Sequence, residues 1–94
     1  MPNIYIMRLS KEKRDKISEQ ILATLYHNFP KQLFTAEIAR EIARDEEFIK
    51  TLLKELWDKN LVVPIKKNSH GFLFSRRIKW RLSNKAYDAY KNHQ

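Results

Sequence analysis

The chain has no cysteine. That excludes disulfides and thiolate metal sites, and it suits a reducing compartment. Its one glycine, Gly71, leaves no glycine-rich loop to cradle a phosphate. No stretch approaches the ~20 apolar residues needed to span a membrane. The N-terminus shows no apolar core ending in a small-residue cleavage site, so no signal peptide is read there and a cytoplasmic location is expected. The histidines, His27, His70 and His93, are far apart, and none has metal-ligand spacing. Ser69 and His70 are adjacent but lack a third group and an oxyanion loop for a triad. Glu46 and Glu47 are also adjacent, so on a helix they diverge instead of pairing as acid and base. The expectation is a protein without catalytic residues, metal or cofactor, and not an enzyme.

Acidic residues are scarce in one region, and there the charge is informative. Net charge is +8 over 94 residues. Residues 1–29 carry five Lys/Arg against three Asp/Glu, residues 30–60 six against seven, and residues 61–94 eight against one. The basic field therefore belongs to the last third, and such a field raises local affinity for polyanions. With 43% hydrophobic and 12% aromatic residues the composition is globular. A chain this long makes one domain, burying roughly 60–65% of its unfolded surface.

The central stretch from Thr35 to Leu61, TAEIAREIARDEEFIKTLLKELWDKNL, organises the rest. Thr35 suits a helix N-cap, since a hydroxyl accepts from an unpaired first-turn N–H. Ile38, Ala39, Ile42 and Ala43 share one face at helical spacing. Asp45 offers a second N-cap, with Glu46 and Glu47 where the helix dipole favours negative charge. Ile49, Leu52, Leu53 and Leu56 form the next stripe. Asn60 stands where helices end in a left-handed residue. Two helices joined by so short a turn cross each other, a helix-turn-helix.

Before this unit, Ser10 to about Asn28 reads as a helix with Ile17, Ile21, Leu22, Leu25 and Tyr26 on its apolar face. Its early Lys11, Lys13, Arg14 and Lys16 oppose the helix dipole and serve solvation or a phosphate. Residues 1–9, MPNIYIMRL, read as an extended N-terminal arm packed on its own domain or on a partner. Pro30 ends the helix at or before Phe29. Beyond Asn60, the run Leu61, Val62, Val63 and Ile65 predicts a strand, with Pro64 at an edge. Asn68, Ser69 and Gly71 supply turn chemistry in the following connector. Residues 76–83, RRIKWRLS, alternate, with Ile78, Trp80 and Leu82 inward and Arg77, Lys79 and Arg81 outward. Lys79 and Arg81 suit equally a polyanion contact or the role of edge charges that block sheet pairing. Ser83 caps a final helix, Asn84 to about Asn92, with Ala86, Tyr87 and Tyr90 on its apolar side.

The pattern TAEIAREI, a short turn, and a helix ending LLKELWDKNLV before a strand resembles the winged helix-turn-helix superfamily of DNA-binding domains. It is similar in particular to small prokaryotic and archaeal transcriptional regulators. The resemblance covers about Ser10 to Lys91, and its motifs identify the fold, not the target. It implies an α+β, mainly α fold: a three-helix core, a β-hairpin wing and a C-terminal helix, spanning residues 10–94 behind an arm of residues 1–9. It also implies that the second helix of the motif reads the major groove of double-stranded DNA in a transcriptional regulator acting as a dimer. On this sequence that face is Glu46, Glu47, Lys50, Thr51 and Lys54. Lys50 and Lys54 are like charges one turn apart that a phosphate would neutralise. Thr51 suits a thymine methyl or a base, and Glu47 can accept from cytosine N4. Two consecutive carboxylates depart from the basic or polar residues usual at this position. The wing residues Lys66, Lys67, Asn68, His70, Arg76 and Arg77 suit the DNA backbone. Two other readings use the same features. A protein–protein module would use the acidic helix start and the apolar Phe72, Leu73 and Phe74. A non-specific DNA or RNA binder would use the basic last third alone.

Overall fold

The computed structural model describes residues 2–65 and 78–92, with backbone alone over residues 2–10. A long helix, α1 (Pro2–Asn28), leads through a two-residue strand, β1 (Leu33–Phe34), into α2 (Thr35–Ile42) and α3 (Glu46–Asp58). Strands β2 (Val62–Ile65) and β3 (Lys79–Leu82) follow, and α4 (Asn84–Asn92) ends the described chain. The three strands form one antiparallel sheet in the order β1-β3-β2. Val62 faces Leu82 and Ile65 faces Lys79 across the β2–β3 pair, while Leu33 faces Trp80 across the β1–β3 pair.

The core is where the hydrophobic spacing puts it. Ile17, Ile21 and Leu25 of α1 meet Ile38 and Ala39 of α2 and the whole stripe of α3. Val62, Ile78, Trp80 and Leu82 close this core from the sheet, and Ala86 of α4 joins it. All four inward residues of α3 are nearly inaccessible, each burial contributing roughly 1.5–3 kcal/mol before the entropy of ordering the chain is subtracted. Aromatic stacking docks α4. Phe29 lies on Tyr87 at 4.0 Å between ring centroids, and Tyr26 stacks on Tyr90 at 4.9 Å.

The helix ends follow local chemistry. Asp45 caps α3, its carboxylate accepting from the Phe48 N–H at 3.1 Å. Ser83 caps α4, its hydroxyl accepting from the Ala86 N–H at 3.0 Å. Asn60 is left-handed, with φ 63°. Its N–H reaches the Trp57 carbonyl while that of Leu61 reaches Leu56, so α3 ends in a Schellman arrangement. Helix α2 ends in the same way without Asn or Gly. Ala43 takes φ 64°, and the Ala43 and Arg44 N–H groups reach the Arg40 and Ala39 carbonyls.

Four sequence expectations need correction. Residues 2–9 are not extended, because α1 runs unbroken through Ser10 from Pro2. Proline fits a first helical position, where its missing N–H costs nothing. No glycine or proline follows before Pro30, and extending an existing helix is far easier than nucleating one. Thr35 is not a cap. Phe34 holds the capping position in an extended conformation, and its own N–H is taken by the Glu37 carboxylate at 2.8 Å. Ala43 is exposed and left-handed, not part of the α2 apolar face. Finally, β3 is the central strand, since β1 pairs along its other side, so Lys79 and Arg81 are not edge charges. Pro64 does lie in an outer strand, where a missing N–H is tolerated.

Candidate nucleic-acid interface

The turn between α2 and α3 fixes how α3 is presented. Ala43 turns the chain, Asp45 begins the next helix, and Ile49, Leu52, Leu53 and Leu56 lock its inner face. The opposite face then has to point outward. Glu46, Glu47, Thr51 and Lys54 are exposed on it, and Lys50 is half-buried beside them. The sequence-predicted groove residues are thus brought together on one helix.

They are not independent of one another. The Lys50 ammonium lies 3.3 Å from the Glu47 carboxylate. The Thr51 hydroxyl donates to the Glu47 main-chain carbonyl at 3.1 Å. Glu47 therefore engages the donor groups of two of its neighbours, one through its side chain and one through its backbone. Lys54 has no ion pair or hydrogen bond among the described residues. The spacing that led to a Lys50–Lys54 repulsion also contained a Glu47–Lys50 attraction at i, i+3, and the attraction is the contact that forms.

Several other basic residues are committed to the fold. Lys79 places its ammonium 4.9 Å from the centre of the Phe34 ring, a cation–π contact. Arg81 donates to the Leu82 carbonyl at 2.7 Å. Arg14 is paired with Glu55, tying α1 to the outer side of α3. Arg40 and Arg44, flanking the turn, are exposed; they were not singled out from the sequence, where α2 was read only for its apolar face. The wing residues Lys66, Lys67, Asn68, His70, Arg76 and Arg77, and the Phe72–Phe74 run, lie outside the described residues.

One sequence-silent contact fixes the sheet to the motif. The buried Trp80 indole N–H donates to the Thr35 hydroxyl at 2.9 Å, joining β3 to the first turn of α2. Trp57, at the end of α3, meets Trp80 edge-on at 6.2 Å and is 39% exposed. More than half of Trp57 is thus covered, and the remainder is open to solvent. Among the described residues no group of His, Asp or Glu is placed to hold a metal ion, and no helix is long and apolar enough to cross a membrane.

Four helices, two of them crossing in the motif, and a sheet packed beside them invite comparison with solved structures. The chain matches a variant of ZitR from Lactococcus lactis with a TM-score of 0.65 at 23% identity, covering 83% of this chain and 49% of that one. The fold is the winged helix-turn-helix. This winged helix is also similar to a MepR variant of Staphylococcus aureus bound to an oligodeoxyribonucleotide, at TM-score 0.59 and 18% identity, over 99% of this chain and 75% of that one. Staphylococcus aureus MarR in complex with salicylate and kanamycin matches at TM-score 0.63 and 18% identity, over 96% and 57%. The chain spans about half the length of two of the ZitR chains it matches, 48% and 49%. No protein-family model matches the sequence, and no curated protein matches it.

Proposed function

We propose that this winged helix binds double-stranded DNA sequence-specifically and regulates transcription as a cytoplasmic homodimer. Helix α3 enters the major groove with Lys50, Thr51, Lys54 and Glu47 toward the bases. The basic wing, with Lys66, Lys67, Asn68, His70, Arg76 and Arg77, lies along the backbone. The observation that carries this reading is the outward face of α3, held by a buried stripe and a capped turn in a fold shared with a MepR variant bound to an oligodeoxyribonucleotide. Dimerisation through residues 1–9, the rest of α1, or α4 would set two copies of α3 on two half-sites, as two-fold symmetry requires.

Titration of random duplex DNA across a salt series, with size-exclusion chromatography beside it, tests the proposal. A log–log slope of about −4 or steeper is expected, because each neutralised phosphate contributes roughly −0.9. A dimer elution volume is expected with it. Negligible binding at low salt would reject DNA in favour of a protein contact. Equal affinity for unrelated duplexes and single strands would reject sequence reading in favour of a general polyanion binder.

A further inference from the structure

On the α3 face, Lys50 and Thr51 are satisfied internally in the free protein, and Glu47 is the residue that satisfies both. Its carboxylate lies 3.3 Å from the Lys50 ammonium, and its carbonyl accepts the Thr51 hydroxyl proton at 3.1 Å. Lys50 is confined, with its side chain 21% exposed, while that of Glu47 is 78% exposed. The cation is held back against the helix and the anion stands forward. A duplex approaching this face meets a carboxylate first.

Resting on the DNA-binding reading, we infer that Glu47 sets specificity by holding Lys50 away from phosphates, which makes it a positioning residue. On an arbitrary sequence the forward carboxylate repels the backbone and Lys50 stays paired, so that contact is lost. A site presenting a base amino group, cytosine N4 or adenine N6, gives the Glu47 carboxylate a donor in place of Lys50. Lys50 is then released to a neighbouring phosphate, and the loss is recovered. The Thr51 hydroxyl is already engaged, so Thr51 offers its methyl and its acceptor lone pairs, which favour the thymine methyl and the same amino groups. Guanine, with acceptors at O6 and N7, meets on the α3 face the ammonium of Lys54, unpaired among the described residues. The exchange discriminates by penalising wrong sites as well as by rewarding right ones.

The test compares the full-length wild type with Glu47→Gln, Lys50→Ala and the double variant. Each is titrated with random duplex over a salt series and with a selected duplex library. Gln keeps the shape and one acceptor oxygen but removes the charge, and a matching thermal melt confirms that the exposed substitution leaves the fold intact. Glu47→Gln should tighten binding to random duplex about three- to tenfold at low salt. It should also steepen the log–log slope by about 0.9, one additional phosphate, and lower the preference for cytosine in the library, whereas adenine is retained because a Gln amide can pair with its N6 and N7. In the Lys50→Ala background the change in slope should vanish. Wild-type binding with an unchanged slope and library preference in Glu47→Gln would overturn the inference alone. A wild type with no salt-sensitive binding would overturn the DNA reading, and the inference with it.

Discussion

Thr35 and Trp80 are 45 positions apart and meet in the core, where the indole donates to the hydroxyl at 2.9 Å. Both are almost fully buried, so neither group has water as an alternative partner. Thr35→Val keeps the shape and removes the acceptor. It should destabilise the protein by about 1–3 kcal/mol, the usual cost of an orphaned buried donor, whereas Thr35→Ser should restore most of the loss in a urea titration. The sequence hid this pair because a threonine before a helical stripe is an equally good cap. Only the pairing of β1 with β3 shows that Phe34 already holds the capping position. Glu47 was legible in part. Its place in the first turn and its i, i+3 relation to Lys50 follow from spacing, but the Thr51 hydroxyl had several possible acceptors and the backbone won.

At the scale of elements, the clearest sequence signals were those that local chemistry and burial both demand. The α3 stripe, the Asp45 and Ser83 caps, left-handed Asn60 and the inward register of Ile78, Trp80 and Leu82 all stand where spacing put them. What spacing missed depends on distant partners. Strand β1 has two residues and no periodicity to read; it exists because β3 passes beside it. The first turns of α1 carry an alternation that also fits a strand, and helical continuity decided the matter. Ala43 shows how tertiary geometry overrides residue preference. It takes φ 64° where glycine pays no Cβ penalty. Ala43→Gly should therefore raise stability by about 0.5–1 kcal/mol, read as a higher urea midpoint at unchanged slope. Helix α3 keeps its position in that variant, so DNA affinity should not fall.

For the whole molecule, charge is divided unevenly along the chain. The helix-turn-helix region is near neutral, and residues 61–94 hold most of the excess positive charge. On the DNA-binding reading, Lys50→Ala with Lys54→Ala should blunt sequence preference in a selection experiment, through loss of the Glu47–Lys50 exchange and of a Lys54 base contact, the latter costing about 1–3 kcal/mol. Arg76→Ala with Arg77→Ala should instead weaken all duplexes alike and flatten the salt slope by about 1.8. Equal effects from the two pairs would contradict the division. The sheet that joins these units has a further property. Among the described residues one outer strand is two residues long, and the other carries Pro64, a position with no N–H to offer. An incoming strand finds too little ladder on one side and a gap on the other. Such a sheet is a poor seed for amyloid-like growth, so the protein can be concentrated without these strands templating one another into fibres.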